Sequence, residues 1–160
     1  VTESGGAYTW AVNAHEFRLT PWNNDPVQDA SGEAMYIRDE ETGEYWSPTP
    51  SPARGKTPYV IRHGFGYTVY EHNENGIKSE LWVYVAMDAP VQFNVLKMKN
   101  LSGRPRQLSV TGYYEWVLGD TRQKNLRHIQ TEIDLKTGAL IAHNYYNTNF
   151  AGHMAFIDVG

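Results

Sequence analysis

Short runs rich in Val, Ile, Thr, Tyr and Trp recur along the chain between the turn clusters Glu40-Glu-Thr-Gly43, Asn73-Glu-Asn-Gly76, Leu101-Ser-Gly-Arg-Pro105 and Lys136-Thr-Gly138. That alternation predicts an all-β, antiparallel sheet system. Asn75-Gly76 is the clearest hairpin turn, because both residues tolerate positive φ and a type I′ turn matches the twist of the strands beside it. Residues 77–87 place Leu81, Val83 and Val85 on one face and Trp82, Tyr84 and Ala86 on the other, a pattern that predicts burial on both faces. In residues 90–100, Val91, Phe93 and Val95 share one phase and Leu96 and Met98 the other, which predicts a bulge near Val95 and Leu96. Residues 106–118 alternate and then turn aromatic through Tyr113, Tyr114 and Trp116, and 155–159 is apolar enough for a further strand. Helical periodicity is confined to a turn or so in residues 119–125, and the Pro-rich stretch 47–58 reads as a polyproline-like surface loop.

With 160 residues the chain fits one domain with room for a sizeable core. It has no Cys, so it can have no disulfide framework and no zinc–thiolate site, and its composition suits a reducing, cytoplasmic compartment. A formal net charge of -4 argues against a nucleic-acid surface. No apolar run approaches the roughly 20 residues that span a bilayer, so no direct membrane contact is expected of this segment.

Chemistry concentrates between Arg18 and Pro48. Trp22 sits among Asn23, Asn24 and Asp25 on a Pro-bounded loop, with Arg18 placed to orient them; a second group, Arg38, Asp39, Tyr45 and Trp46, flanks the hairpin that follows. A pyranose presents C–H groups on one face and hydroxyls around its rim, so a ring beside amides and carboxylates is a plausible recognition set for carbohydrate. The competing reading makes Trp22 a core anchor and the Asn and Asp residues turn formers. The Arg38–Asp39 pair flanking a turn is more often structural. The six histidines show no metal-ligand spacing, and neither metal nor cofactor is expected. Glu115, Glu132 and Asp134 read as hydrogen-bonded wall residues rather than an acid–base pair, and no nucleophile motif or phosphate loop is present.

Gly6-Ala-Tyr-Thr-Trp10, Arg18-Leu-Thr-Pro-Trp-Asn-Asn-Asp-Pro26, Gly32-Glu-Ala-Met-Tyr-Ile-Arg-Asp39, Glu41-Thr-Gly-Glu-Tyr-Trp-Ser-Pro-Thr49, Arg62-His-Gly-Phe-Gly-Tyr67 and Val110-Thr-Gly-Tyr-Tyr-Glu-Trp-Val-Leu-Gly119 occur in collinear order. In this the chain resembles the N-terminal β-sandwich of glycosyltransferase family 36, grouped with the inverting disaccharide phosphorylases of glycoside hydrolase family 94. Ser31-Gly32-Glu33-Ala34 stands where the cellobiose and chitobiose phosphorylases usually read Pro-Gly-Arg-Tyr, a departure that favours the cyclic β-1,2-glucan synthase branch and removes the Arg whose region reaches the active site in those enzymes.

The resemblance implies a galactose-mutarotase-like supersandwich, here in part, within a larger carbohydrate-active enzyme. It also implies that the catalytic Asp and the phosphate site lie on a later helical barrel, so that this segment is inactive alone. The expected partners are a β-glucan oligosaccharide, that barrel and a second copy in a homodimer, with any membrane attachment of the parent through other segments. A free-standing carbohydrate-binding module and a purely structural or dimerisation domain are the alternatives.

Overall fold

A computed structural model describes all of residues 1–160 except Asn23, Pro26, Gln28 and Asp29. Its ten strands are β1 (Glu33–Asp39), β2 (Tyr45–Trp46), β3 (Tyr59–Gly64), β4 (Tyr67–Glu74), β5 (Ile77–Val85), β6 (Gln92–Asn100), β7 (Leu108–Tyr114), β8 (Ile129–Ile133), β9 (Leu140–Asn144) and β10 (Met154–Ile157). A short helix α1 (Arg122–Asn125) falls within the expected helical turn, and a 3₁₀ turn occupies Thr148–Phe150. The strands form three antiparallel sheets, ordered β2-β1-β7, β3-β4-β5-β6 and β8-β9-β10 with β9 central.

The four-stranded sheet is a meander, and the turns of two hairpins in the fold, β4–β5 in this sheet and β8–β9 in another, are written in the sequence. Between β4 and β5, Asn75 and Gly76 adopt φ of 51° and 77°, the two positive values that a type I′ turn requires. Between β8 and β9, the Asp134 carboxylate accepts hydrogen bonds from the Thr137 hydroxyl at 2.6 Å and the Thr137 N–H at 3.2 Å, which closes the turn.

Two hydrophobic clusters hold the sheets. Ile37, Trp46 and Ile77 pack with Leu96 and Leu108, joining β1, β2 and β7 to the inner face of the four-stranded sheet. Phe17, Leu118, Ala142 and Ala155 pack with Leu19, Trp116, Ile129 and Phe150, fastening β9 and β10 to the N-terminal segment and to the chain that follows β7. Each large side chain buried in this way contributes roughly 1.5–3 kcal/mol.

Three sequence expectations are corrected here. The β5–β6 register runs unbroken from Ile77↔Asn100 to Val85↔Gln92, so no bulge occurs at Val95 and Leu96. The phase change arises because β6 carries apolar side chains on both faces: Leu96 points with Leu81 to the core, while Phe93 and Val95 point outward with Tyr84 and Trp82. Accordingly, β5 is buried on one face only, and Tyr84 stays exposed. The start of the Pro-rich stretch lies beneath the surface, with Ser47, Pro48 and Thr49 buried. Its polar groups are satisfied there, since the Tyr59 hydroxyl donates to the Ser47 carbonyl at 3.0 Å and the Thr49 hydroxyl to the Ser51 carbonyl at 2.7 Å.

On the inner face of β4, His72 lies flat against Tyr59 with ring centroids 3.6 Å apart, and its Nε2 is 3.3 Å from the Glu74 carboxylate. Burial pushes the His72 pKa below its ordinary value, with the nearby Pro58 carbonyl and Glu74 opposing. The second Glu74 role is structural: its carboxylate accepts the Lys56 N–H at 2.7 Å and the Thr57 N–H at 3.2 Å, tying the Pro-rich stretch to the sheet.

Candidate functional site

A cleft of about 360 Å³ opens where the N-terminal segment meets the chain after β7. The junction is set by the backbone of Arg18, which bridges Trp10 on one side and Gly119 on the other. Its N–H donates to the Gly119 carbonyl at 3.0 Å and its carbonyl accepts the Gly119 N–H at 3.1 Å. The side chain is fixed as well, donating from Nε to the Ala14 carbonyl at 3.2 Å and from Nη1 to the Asp120 carbonyl at 3.0 Å. Thus anchored, the guanidinium stands 5.2 Å from the centre of the Trp22 ring, a cation–π distance. Trp22 remains 46% exposed and touches Tyr8 edge-on at 6.4 Å.

The floor is built by close backbone approach. A Cβ on Gly32 would lie 2.3 Å from Pro21 Cδ, so the Trp22 loop can rest on the start of β1 only because residue 32 is glycine. Beneath it, the buried Glu33 carboxylate accepts from the Thr20 hydroxyl at 2.5 Å, the Thr9 hydroxyl at 2.6 Å and the Gln92 amide at 3.4 Å. Glu33 therefore points into the protein and organises the loop from below.

The opposite wall comes from residues 115–123. The Glu115 N–H donates to the Gly32 carbonyl at 2.7 Å, which continues the β1–β7 pairing into the cleft. The Glu115 carboxylate pairs with Arg122, and Asp120 pairs with Lys124 one helical turn on. The hydrogen bond from Lys124 holds the Asp120 carboxyl below its ordinary range, so at neutral pH this group accepts hydrogen bonds and is unsuited to donating a proton. The arrangement offers one aromatic ring, the Glu115–Arg122 pair, Asp120 paired with Lys124, and an Arg18 guanidinium bonded to two backbone carbonyls, groups that can meet the apolar face and the hydroxyls of a polyhydroxylated ligand.

Of the residues singled out from the sequence, Arg18 and Trp22 line this cleft. Asn24 and Asp25 do not line it, and Asp25 accepts the Val27 N–H at 3.0 Å as a turn former would. Asn23 lies outside the described residues. The second group is not at the cleft. Trp46 is 1% exposed within the core and Asp39 is fully buried against Arg106, so neither can contact a ligand, and both expectations are corrected. Tyr45 is exposed and meets Tyr36 edge-on, and Arg38 reaches Glu40 at 3.9 Å. Asp120, Arg122 and Gln123 line the cleft and were missed. The signal was present in the Gly119-Asp120 turn and the short helical stretch after it, but nothing in the sequence said that this turn faces Trp22.

Among the described residues, no helix is long and apolar enough to cross a membrane. The glycosyl hydrolase 94 supersandwich domain model matches residues 1–160, so the all-antiparallel architecture has a family. The chain belongs to the glycosyl hydrolase 94 supersandwich family.

It is 33% identical over 157 residues to the cyclic beta-(1,2)-glucan synthase NdvB of Rhizobium meliloti, a match that takes in 98% of this chain and 6% of that protein. It is 27% identical over 156 residues to the N,N'-diacetylchitobiose phosphorylase of Vibrio furnissii, covering 93% of this chain and 20% of the relative. A solabiose phosphorylase of Paenibacillus borealis is 33% identical over 114 residues, or 69% of this chain and 15% of its own length. The chain thus spans a fifth or less of these relatives.

Proposed function

We propose that this supersandwich forms a sugar-facing wall of a carbohydrate-active enzyme in which glycosyl transfer or phosphorolysis is carried out by other parts of the polypeptide. The observation that carries the reading is the cleft in which Arg18 and Trp22 face Glu115, Asp120 and Arg122. A half-exposed Trp ring supplies apolar surface for a pyranose face, and the flanking guanidinium and carboxylate groups supply hydroxyl partners. The relative named as a cyclic beta-(1,2)-glucan synthase favours a β-glucan oligosaccharide as the ligand, and the Cys-free composition is in keeping with a cytoplasmic site of action.

The chain's second role in this reading is mechanical, bracing a downstream helical barrel and, in a homodimer, meeting another subunit. No step of bond cleavage is assigned to it, because the cleft carboxylates are engaged by Arg122 and Lys124. The test is to substitute Trp22 and Arg122 separately in the full-length parent and measure kinetics on its glucan or disaccharide substrate. A rise in KM or fall in kcat/KM with both changes supports the wall; unchanged kinetics with both refutes it.

A further inference from the structure

One residue beside the cleft sits in a backbone conformation that its side chain does not favour. Leu118 has φ of 45°, in the left-handed region that few L residues enter. Its side chain is sealed in the core with Phe17, Ala142 and Ala155, so this is not a loose surface turn. Strain of this kind persists only where the surroundings over-determine it. Here the turn leads directly into Gly119, which pairs with Arg18, and Asp120, which lines the cleft.

Side-chain amides from the third sheet clasp this turn. Asn144, at the end of β9, donates from Nδ2 to the Leu118 carbonyl at 3.1 Å, and Asn147 donates to the same oxygen at 3.0 Å. Asn144 also donates to Asn125 Oδ1 at 2.7 Å; Asn125 donates in turn to Asp120 Oδ1 at 3.2 Å and to the Thr121 carbonyl at 2.7 Å. The Tyr146 N–H completes the chain on Asn144 Oδ1 at 3.1 Å. The donors therefore run one way, from Tyr146 to Asp120. Both N–H groups of each amide are engaged, so neither amide can turn over without losing partners. Asn125 also lies against bare backbone, since a Cβ on Gly119 would be 2.6 Å from its Nδ2.

At the end of the chain Asp120 Oδ1 takes Asn125 and the Thr121 N–H, the latter at 2.8 Å, and Oδ2 takes Lys124. A carboxylate has about four acceptor sites, and one on Oδ2 is left. We infer that Asn125 and Asn144 are positioning residues of the cleft, a relay of two buried amides that couples the β8-β9-β10 sheet to Asp120 and aims its remaining acceptor site at a ligand hydroxyl. The inference rests on the proposed sugar-facing role of the cleft. The Lys124 side chain is 68% exposed, and a carboxylate tethered to it alone would swing with it. The relay removes that freedom before a ligand arrives, so less ordering is left to oppose binding. Asn125 and Asn144 are both buried within the domain, so the relay does not depend on what the domain meets outside it.

The experiment is steady-state kinetics of the full-length parent on linear β-1,2-glucan oligosaccharides. The variants are Asn125→Ala, Asp120→Ala, the two together, Asn147→Ala and Trp22→Ala, with Ile37→Val in the other core cluster as a stability control. Expected in Asn125→Ala is a rise in KM on the order of fivefold, the size of one hydrogen bond, with kcat unchanged, as for an interaction made equally in the ground and transition states. Added to Asp120→Ala it should change nothing further, because its effect passes through that carboxylate. Asn147→Ala alters a half-buried residue and loosens the Leu118 turn more gently; it should raise KM in the same direction and decides the matter if Asn125→Ala does not fold. Ile37→Val should lower the thermal midpoint and leave KM alone. Additive effects of Asn125→Ala and Asp120→Ala overturn the inference, as does a KM that rises with falling midpoint in Ile37→Val. Unchanged KM in whichever Asn variants fold, with KM raised in Trp22→Ala and Asp120→Ala, overturns the relay and leaves the sugar-facing wall standing. Unchanged KM in both Trp22→Ala and Asp120→Ala refutes the wall itself and the relay with it.

Discussion

Trp22→Ala separates a ligand-facing ring from a structural one, and the structure fixes the expected size of both effects. A fully buried Trp covers on the order of 200 Å². Trp22 is 46% exposed, so roughly 100 Å² is already packed against the loop and Arg18, and about 90 Å² is free for a ligand. At about 25 cal/mol per Å² each share corresponds to about 2 kcal/mol, the folding share being an upper value because the unfolded chain is partly collapsed. The variant should therefore remain folded with a modestly lower thermal midpoint, while kcat/KM in the full-length parent falls up to about thirtyfold, as about 2 kcal/mol implies. Trp46→Ala is the internal standard: that ring is 1% exposed, and its truncation should cost about 3–5 kcal/mol of stability. The assay measures thermal midpoint and steady-state kinetics together, well below the midpoint of every variant. Full kcat/KM in folded Trp22→Ala would refute the reasoning, as would a stability loss equal to that of Trp46→Ala.

Other outcomes follow from particular contacts. The 160-residue chain alone should release no glucose 1-phosphate from β-1,2-glucan and phosphate, since the cleft carboxylates Glu115 and Asp120 are both ion-paired, with Arg122 and Lys124; release above a heat-killed control would move chemistry into this domain. Gly76→Ala should destabilise by about 1–2 kcal/mol and more than Gly43→Ala, because both glycines have positive φ but only Gly76 has a neighbour, Ser102 Cβ, 2.9 Å from the added carbon; urea unfolding of the two variants makes the comparison. His72 has a lowered folded pKa, so the unfolded chain takes up the proton first: its contribution to stability is complete above the ordinary His value of 6.5 and is lost as pH falls from there towards the folded value. The fall in thermal midpoint from pH 7 to 5 should be shallower in His72→Gln, and an unchanged slope would contradict the burial argument. Asp39→Asn, which leaves the buried Arg106 guanidinium without its counter-ion, should lower the midpoint more than Glu41→Gln at the exposed Arg104 pair.

What the sequence revealed follows from the range of the forces involved. Turn chemistry is local, so Asn75-Gly76 and the short turn after Gly119 were legible, as were the strands between them. Burial is not local. Trp46 and Trp22 have similarly polar neighbours in the sequence, yet one is sealed by Ile37 and Ile77 and the other stands open beside Arg18. The apparent slip in β6 had the same origin, because outward Phe93 and Val95 look like core residues until the sheet shows which face is covered. Half of the cleft was legible because Arg18 and Trp22 are four residues apart. The other half required knowing that Gly119 pairs with Arg18 across about a hundred residues, information carried by sheet topology and not by spacing.

The buried Glu33 cluster constrains how this protein can be shortened or spliced. Residues 1–20 contribute no strand of their own, and a trimming scheme based on secondary structure would discard them. Yet Thr9 and Thr20 supply the two shortest donors to a carboxylate that has been withdrawn from water. Removing them leaves the buried carboxylate with only the long Gln92 contact at 3.4 Å, a loss of hydrogen bonds that would loosen the start of β1. Residues 1–20 thus belong to the fold without contributing a strand: a recombination joint between residues 9 and 20 parts Glu33 from Thr9, and one between 20 and 33 parts it from both threonines, so either has to keep these residues together or replace Glu33 at the same time.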